Sequence, residues 1–257
     1  MKITVLGCGS STGTPAIGCN CKTCISDNPK NKRTRVSVLV ETNGENLLID
    51  SSPDLRQQAL RNNIRKINAI LYTHEHADHT HGIDDLRSFN YLSGGALPVY
   101  GNAETLDMLQ QRFSYAFLPK PEVVWYRPSL MPHILPDDPV HQFNIRDIAL
   151  ASFEQMHGKV KTLGYRIGKF AYSTDVDVLP ETAFKALEGT EIWLVDCLSY
   201  RKSYSHSNLE NTLAWIARVK PKLAILTHMS HEFDYDTLAK ELPPGVVPGY
   251  DGMIMEF

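Results

Sequence analysis

The ten residues that begin at Thr73 read THEHADHTHG, and no other feature constrains the fold of this chain as strongly. They follow a short apolar strand and lead into a helix that is predicted to start at Asp78. In an extended segment His74 and His76 point the same way, because strand side chains alternate with a period of two. One helical turn carries Asp78 and His79 around the helix axis towards a second point in space. This corner therefore offers two nitrogens to one cation and a carboxylate with a nitrogen to another.

Imidazole together with carboxylate suits zinc, and also manganese or iron. Two cations need more ligands than one corner provides, and three further candidates each follow a predicted strand: His157, Asp175 and His228. Taken singly, each would more often be a turn, a cap or a satisfied polar residue. Their recurrence at strand ends favours ligands, and a carboxylate among them can bridge two cations about 3.5–4 Å apart. A histidine-rich surface loop is the alternative, but such a loop has no reason to follow a buried strand.

A second cluster consists of Cys19, Cys21 and Cys24. The chain has five cysteines, and an odd number argues against a complete disulfide framework. The first residues enter a strand pattern without the apolar core of a signal peptide, so we expect a reducing, cytoplasmic location. There, clustered thiolates are typical ligands of a structural zinc, with three free surface thiols as the alternative. Cys8 and Cys197 stand alone and are expected to be buried.

The composition is that of an ordinary globular protein: of 257 residues, 42% are hydrophobic and 21% charged. No Ser/Gly tract, charge block or low-complexity linker interrupts the chain, so we expect a single domain over residues 1–257. The apolar runs are far shorter than the ~20 residues of a membrane helix, so no membrane contact is expected. The net charge of −3 provides no general attraction for a phosphate-rich polymer, which disfavours a large nucleic acid as partner.

Strand patterns dominate the first part of the chain, beginning at its first residues, and helices alternate with strands later. Further predicted strands cover residues 36–40, 46–50, 69–72, 98–100, 148–153, 162–167, 170–173, 192–195 and 223–226. Predicted helices cover residues 53–62, 180–187 and 208–219 and a stretch from Ala103 onwards. Residues 113–139 are aromatic and rich in proline, and we expect a long excursion there. Both faces of the sheets need covering, so two sheets with outer helices are the economical arrangement.

The sequence resembles the metallo-β-lactamase fold family, and within it the PhnP-like group of phosphodiesterases, which is similar to the tRNA-processing endonuclease ribonuclease Z. The resemblance covers essentially the whole chain and is carried by residues 7–15 (GCGSSTGTP), the histidine motif with Gly82, His157, Asp175, residues 226–231 (LTHMSH) and residues 251–253 (DGM). It implies an α+β fold, a four-layer αββα sandwich with the active site at one edge.

The resemblance also implies ligands for two catalytic metals, zinc or manganese. One metal is expected at His74, His76 and His157, the other at Asp78, His79 and His228, with Asp175 as the bridge. In PhnP-like proteins the cysteine pattern binds a structural zinc, and the matching residues are Cys19, Cys21, Cys24 and His231. Ribonuclease Z enzymes lack this cysteine pattern, so it favours the PhnP-like group.

His206 precedes a predicted helix, and on the pattern alone it could simply start or cap that helix. The resemblance places it at the family's catalytic histidine, where it would protonate the leaving oxygen or stabilise the transition state. We also expect Asp78 to be a catalytic residue. Backbone N–H groups of residues 10–14 could reach a phosphate, so we expect Ser10 and Ser11, together with His206, to contact the substrate.

The implied function is hydrolysis of a small, cyclic phosphodiester by hydroxide that bridges two metals. A cyclic ribose phosphate and a 2′,3′-cyclic nucleotide are the implied substrate classes. A ribonuclease Z-like nuclease is one alternative, although neither a long gripping arm nor clear basic patches are evident. A thioesterase or β-lactamase of the same fold is another, because a fold alone does not determine a reaction. A zinc-stabilised binding protein with a degenerate site is the third, and a homodimer is left open.

Overall fold

The structure is a computed structural model that describes residues 1–119 and 127–257. These residues fall into two compact units. The first unit comprises Met1–Gly7, Arg35–Asp137 and Gly252–Phe257, and the second comprises Cys8–Thr34 and Asp138–Asp251. The described part of each unit contains one seven-stranded sheet. The single domain expected over residues 1–257 stays a prediction.

The described residues form fourteen strands and eight α-helices, numbered here in chain order. The strands are β1 (Lys2–Gly7), β2 (Ser37–Thr42), β3 (Glu45–Ile49), β4 (Ala69–Leu71), β5 (Leu97–Gly101), β6 (Leu130–Ile134), β7 (Val140–Ile145), β8 (Ile148–His157), β9 (Val160–Ile167), β10 (Phe170–Ser173), β11 (Ile192–Asp196), β12 (Leu223–Thr227), β13 (Val246–Pro248) and β14 (Met253–Glu256). The helices are α1 (Lys22–Ile25), α2 (Leu55–Arg61), α3 (Ala77–Thr80), α4 (Leu86–Ser93), α5 (Ala103–Arg112), α6 (Glu181–Leu187), α7 (Leu209–Val219) and α8 (Tyr235–Glu241). In this described part of the chain, every helix is too short or too polar to cross a membrane.

The sheet of the first unit has the strand order β14–β1–β2–β3–β4–β5–β6. β2 and β3 form a hairpin whose turn residues, Asn43 and Gly44, both have positive φ, as in the type I′ turns that suit two-residue hairpins. From β3 to β6 the strands are parallel, so their carboxyl ends lie at one edge of the sheet. Strand residues such as Ile70 pack in one buried cluster with helix residues such as Leu86 and Leu106.

The sheet of the second unit has the order β13–β12–β11–β10–β9–β8–β7. Neighbours from β7 to β10 are antiparallel, and those from β10 to β13 are parallel. β8 therefore runs in the same direction as β10, β11 and β12. The carboxyl ends of these four strands share one edge, where polar side chains can converge. The sheet itself is apolar, since Trp193, Tyr165 and Phe153 on its strands are fully buried.

All strands and helices that the sequence predicts are present, but the expected excursion over residues 113–139 was wrong in part. Strand β6 lies inside that stretch, and residues 120–126 of it lie outside the described residues. Strands β7, β13 and β14 were not predicted from the sequence either. Each of the four missed strands is the outermost strand of its sheet. An edge strand packs against one neighbour only and can carry exposed residues and proline, as β6 does with Met131, Pro132 and Ile134, so its hydrophobic alternation is weak.

Candidate functional site

In the first unit, the histidine motif forms the corner between β4 and α3. The chain remains extended at His76, the N-cap of α3, which has φ −61° and ψ 150°. The ring centroids of His74 and His76 are 4.4 Å apart, and those of His74 and His79 are 4.2 Å apart. Asp78 Oδ2 lies 3.5 Å from His79 Nε2. Three imidazoles and one carboxylate are thus close together at the corner that the sequence predicts.

Asp50 orients this corner from the end of β3. Its carboxylate accepts hydrogen bonds from the Thr73 backbone N–H (2.9 Å), the Thr73 hydroxyl (2.9 Å) and His79 Nδ1 (2.7 Å). Burial raises the pKa of Asp50, while His79 and the Thr73 donors act in the opposite direction. Asp50 is fully buried, and its backbone φ of 60° is uncommon for a residue other than glycine.

These hydrogen bonds fix the protons on two imidazoles. The single hydroxyl proton of Thr73 goes to Asp50, so Thr73 Oγ1 accepts a hydrogen bond from His74 Nδ1 at 3.0 Å. His79 Nδ1 donates to Asp50 in the same way. Both rings therefore carry their proton on Nδ1 and have a lone pair on Nε2, the form in which neutral histidine binds a metal.

Gly82 closes the corner for a steric reason. Its backbone N–H donates to the Ser51 carbonyl oxygen at 2.9 Å. A Cβ atom on residue 82 would lie 2.2 Å from the Ser52 carbonyl oxygen, which is too close for any side chain. The glycine of the motif therefore permits a close backbone approach after the last histidine of the run.

In the second unit, four polar residues lie at the shared carboxyl edge of the sheet. His157 ends β8, Asp175 follows β10, Asp196 ends β11 and His228 follows β12. All four are buried. His157, Asp175 and His228 were predicted from the sequence, and Asp196 was not. The signal for Asp196 was the same strand-then-carboxylate pattern, but this residue belongs to the strand and precedes Cys197, so it does not stand out in a loop.

Asp175 is the centre of this second group. Its Oδ1 lies 3.9 Å from His157 Nε2 and 3.9 Å from His206 Nε2, and its Oδ2 lies 3.6 Å from His228 Nε2. These distances are too long for hydrogen bonds. Two atoms bound to one tetrahedral zinc at about 2.0–2.1 Å lie roughly 3.4 Å apart, so the spacing suits shared coordination. The two carboxylate oxygens face different imidazoles, which is the arrangement of a bridging ligand.

His206 packs beside this carboxylate. Its ring stacks on that of His228 with centroids 4.7 Å apart and an interplanar angle of 12°. Its Nδ1 lies 3.2 Å from Asp196 Oδ2, which also accepts the Val176 backbone N–H at 3.0 Å. Asp196 therefore holds the His206 ring so that Nε2 faces Asp175. Ligand atoms of Asp175, His206 and His228 all lie within 4.8 Å of one another, so His206 is within coordination range as well.

The backbone is strained at two of these residues. Asp175 has φ 51° and His228 has φ 54°, in the left-handed region that costs residues other than glycine about 1–3 kcal/mol. The Thr174 hydroxyl donates to Asp175 Oδ2 at 2.8 Å, and Thr162 Oγ1 donates to the Asp175 carbonyl oxygen at 3.0 Å. These contacts hold the strained backbone, so the carboxylate is positioned before any ligand binds.

The cysteine cluster is built within the second unit. The Sγ atoms of Cys19, Cys21 and Cys24 and a ring nitrogen of His231 all lie within 4.8 Å of one another. His231 Nδ1 is 3.7 Å from Cys19 Sγ and 3.4 Å from Cys21 Sγ. The Cys24 backbone N–H, with His231 and Cys19, lowers the pKa of Cys21 to about 6, which favours the metal-binding thiolate. The four residues predicted for a structural zinc are therefore brought together.

The two remaining cysteines are buried as expected. Cys8 and Cys197 are both fully buried, and burial raises the pKa of each thiol. A thiol that stays protonated is a weak nucleophile and a weak ligand. Neither residue is placed for chemistry.

In the glycine-rich segment near Ser10, several backbone N–H groups already donate hydrogen bonds within the protein. The N–H groups of Ser10, Gly13 and Thr14 donate to the carbonyl oxygens of Met229, Ser10 and Arg33 respectively. The expectation that these three groups reach a phosphate was therefore wrong, because they are already engaged within the protein. Ser10 is buried and Ser11 is exposed. Contact between these two serines and substrate stays a prediction.

Two curated proteins resemble this chain over part of their own length. A curated octanoyltransferase from Porphyromonas gingivalis is 36% identical over 256 residues, which cover 98% of this chain and 51% of that protein. Ribonuclease Z from Methanopyrus kandleri is 32% identical over 146 residues, or 54% of this chain and 46% of that protein. The chain thus spans about half the length of these curated relatives.

A solved structure described as a new diphosphatase from the PhnP family matches more completely. It is 36% identical with a TM-score of 0.91, and the match covers 100% of this chain and 97% of that one. This likeness confirms the predicted fold class and the predicted resemblance to the PhnP-like group. The beta-lactamase superfamily domain model matches residues 45–229, which include most of the residues described above. The chain therefore belongs to the family defined by the beta-lactamase superfamily domain.

Proposed function

We propose that this domain is a dinuclear metal phosphodiesterase that hydrolyses small, cyclic phosphodiesters. Cyclic ribose phosphates and 2′,3′-cyclic nucleotides are the proposed substrate classes. The observation that carries the proposal is Asp175, a buried carboxylate that divides its oxygens between His157 and His206 on one side and His228 on the other. A carboxylate placed in this way can be shared by two cations. The likeness to a PhnP-family diphosphatase supports phosphate chemistry.

The donor set fits two divalent cations, zinc or manganese. Imidazole nitrogens with carboxylate oxygens are ligands that both metals accept. We assign one cation to His74, His76 and His157 and the other to Asp78, His79 and His228, with Asp175 between them. When bound, two such cations would lower the pKa of a bound water towards neutrality and would neutralise charge on the phosphate oxygens.

His206 is proposed to act on the substrate. Asp196 holds its Nδ1 side, so Nε2 is the atom that can give a proton to the departing alkoxide. Asp78 is proposed to serve the reaction through its place among the metal ligands, and Ser10 and Ser11 are proposed to line the substrate site.

The substrate class is tested by turnover of four compounds by the metal-loaded protein. These are an activated phosphodiester, the matching phosphomonoester, a β-lactam and an octanoyl thioester. The account predicts that the diester is turned over at least 100-fold faster than the others. The thioester tests whether the protein shares a substrate class with the octanoyltransferase relative. The β-lactam tests for the lactamase activity that the family name suggests. Preferred turnover of the thioester or the lactam would refute the proposal.

We propose that Cys19, Cys21, Cys24 and His231 bind one structural zinc. Cys21→Ser should remove about one metal equivalent and lower the melting temperature, because a closed tetrahedral site contributes folding free energy directly. The histidine-bound metals should stay. The measurement is elemental analysis together with calorimetric unfolding, and Cys8→Ser, a buried thiol outside the cluster, is the matched control. An unchanged metal content and melting temperature in Cys21→Ser would exclude the structural site.

Asp50→Asn tests the support of the ligand His79. An amide at this position accepts hydrogen bonds less strongly than a carboxylate, so His79 Nδ1–H loses its charged partner. Loss of such a partner typically weakens metal affinity by roughly 10–100-fold. Competition with a chelator measures this affinity, with Asp107→Asn, an exposed carboxylate on α5, as the control. Equal affinities of Asp50→Asn and wild type would show that Asp50 has no such role.

The proposal also covers the cellular location and the partners of the protein. Three clustered thiols fit a reducing compartment such as the cytoplasm, and a compact cyclic diester agrees with the net charge of −3. We therefore propose a small phosphodiester as the partner, without a membrane or a large nucleic acid. A homodimer is compatible with this proposal.

A further inference from the structure

Tyr204 is an exposed tyrosine beside the proposed catalytic histidine. It precedes His206 by two positions. Its exposure is 73%, the highest of the exposed tyrosines in the described residues. Within residues 1–119 and 127–257, no side chain provides a hydrogen-bonding or ring-stacking partner for it. An aromatic ring in this state offers a free face to a ligand.

The edge of the ring nevertheless lies close to the backbone of Gly158. A Cβ atom on residue 158 would lie 3.1 Å from Tyr204 Cε1 and 3.3 Å from Ser205 Cβ. The φ of +61° at Gly158 also favours glycine, and its N–H donates to Asp177 Oδ1 at 2.7 Å. The absence of a side chain at residue 158 therefore lets the tyrosine ring lie directly over the backbone.

The same contact ties the tyrosine to the proposed metal ligands. Gly158 directly follows His157, and the carbonyl oxygen of Ser205 accepts a hydrogen bond from His157 Nδ1. The ring of His157 is also 4.4 Å from that of His206, centroid to centroid. The ring of Tyr204 thus lies against the residue that follows one proposed ligand, and Tyr204 precedes the proposed acid by two positions.

The charge of this loop suits an anionic ligand. Arg201 and Lys202 are both exposed, and Arg201 Nε lies 3.7 Å from Glu232 Oε1, a loose contact at the surface. Both cations belong to the same loop as Tyr204 and give that loop positive charge. The exposed ring adds a contact that only a ligand with a planar group can use.

We propose that Tyr204 is a stacking platform for the nucleobase of the substrate. The proposal rests on the proposed phosphodiesterase function, and it chooses between the two substrate classes: nucleoside cyclic phosphates are preferred over base-free ribose cyclic phosphates. Stacking of one base on an aromatic side chain typically improves affinity by roughly 5- to 150-fold. It does not depend on the identity of the base, because every base has a π face.

Equilibrium binding to the zinc-loaded protein tests this platform without turnover. The probes are AMP and ribose 5-phosphate, which share the sugar and phosphate and differ by the base. Titration calorimetry should show wild type binding AMP roughly 5- to 150-fold more tightly than ribose 5-phosphate. Tyr204→Ala should lose this preference while its affinity for ribose 5-phosphate stays the same. Tyr204→Phe should retain the preference, since the ring and not the hydroxyl provides the contact.

The controls separate a specific platform from a general structural effect. Tyr91→Ala removes another exposed tyrosine, 62% exposed and on α4, and should leave both affinities unchanged. A wild type without base preference, or a Tyr204→Ala variant that keeps it or binds both probes more weakly, would overturn the proposal. Base preference in a protein that hydrolyses no phosphodiester would leave the platform standing and refute the proposed function instead.

Discussion

Asp175→Ala is expected to lower phosphodiester hydrolysis nearly to background. The residue is 2% exposed, and its two oxygens face three imidazole nitrogens at 3.6–3.9 Å. If it bridges two cations, its removal loosens both at once. Bound metal should then fall from about three equivalents per chain to about one, the zinc of the cysteine site. Elemental analysis after remetallation and the initial rate on an activated diester measure the two effects.

Two variants make the test of the bridge specific. Glu210→Ala removes an exposed carboxylate on α7 and should leave both metal content and rate unchanged. Asp175→Asn keeps the shape of the side chain but has only one strong acceptor oxygen, so it should keep at most part of the metal. An Asp175→Ala protein that retained all its metal and its rate would contradict the bridging role.

His206→Ala should lower kcat by roughly 10²- to 10⁴-fold, the usual contribution of a general acid. Its metal content should be unchanged, because we assign this histidine to the substrate although its Nε2 lies 3.9 Å from Asp175 Oδ1. The defect should shrink with diesters whose leaving group is a weak base, since such an alkoxide needs no proton. Rates on a series of aryl and alkyl diesters measure this dependence.

Asp196→Asn tests whether Asp196 supports the proposed acid role of His206. Asp196 Oδ2 faces His206 Nδ1 at 3.2 Å, and an amide stabilises the protonated imidazole less than a carboxylate does. This variant should show a milder form of the same leaving-group dependence, whereas His141→Ala, a histidine of β7, should behave as wild type. Loss of metal from His206→Ala would make the residue a ligand. An equal defect on good and poor leaving groups would leave only a positioning role.

Sequence reasoning was most successful where chemistry and secondary structure coincide. The corner at His74–His79 and the residues His157, Asp175 and His228 all follow strands with strong apolar runs. Parallel strands that end at one edge bring such residues together, so the pattern alone predicts the groups within each unit. The cysteine cluster was predictable because its spacing has few other uses.

Roles that depend on a contact between residues distant in sequence could not be predicted, because no local sequence pattern marks such a contact. Asp196 acts through His206, ten residues later, and nothing in the strand that contains it marks the contact. Tyr204 depends on the missing side chain of Gly158, which is 46 residues away in the sequence. The edge strands β6, β7 and β14 were missed for a similar reason, since many of their side chains are exposed or half-buried and carry weak alternation. Strand β13 has only three residues, which is too short for a pattern.

The central claim, that two cations at the histidine centre are required for diester hydrolysis, is tested most directly by metal titration. Protein stripped of metal by a chelator is titrated with zinc or manganese while diester turnover is followed. The account predicts no turnover in the stripped protein, and a rate that reaches its plateau only when about two equivalents are bound beyond the cysteine site. Full turnover by the stripped protein, or a plateau reached with the cysteine site alone filled, would contradict it.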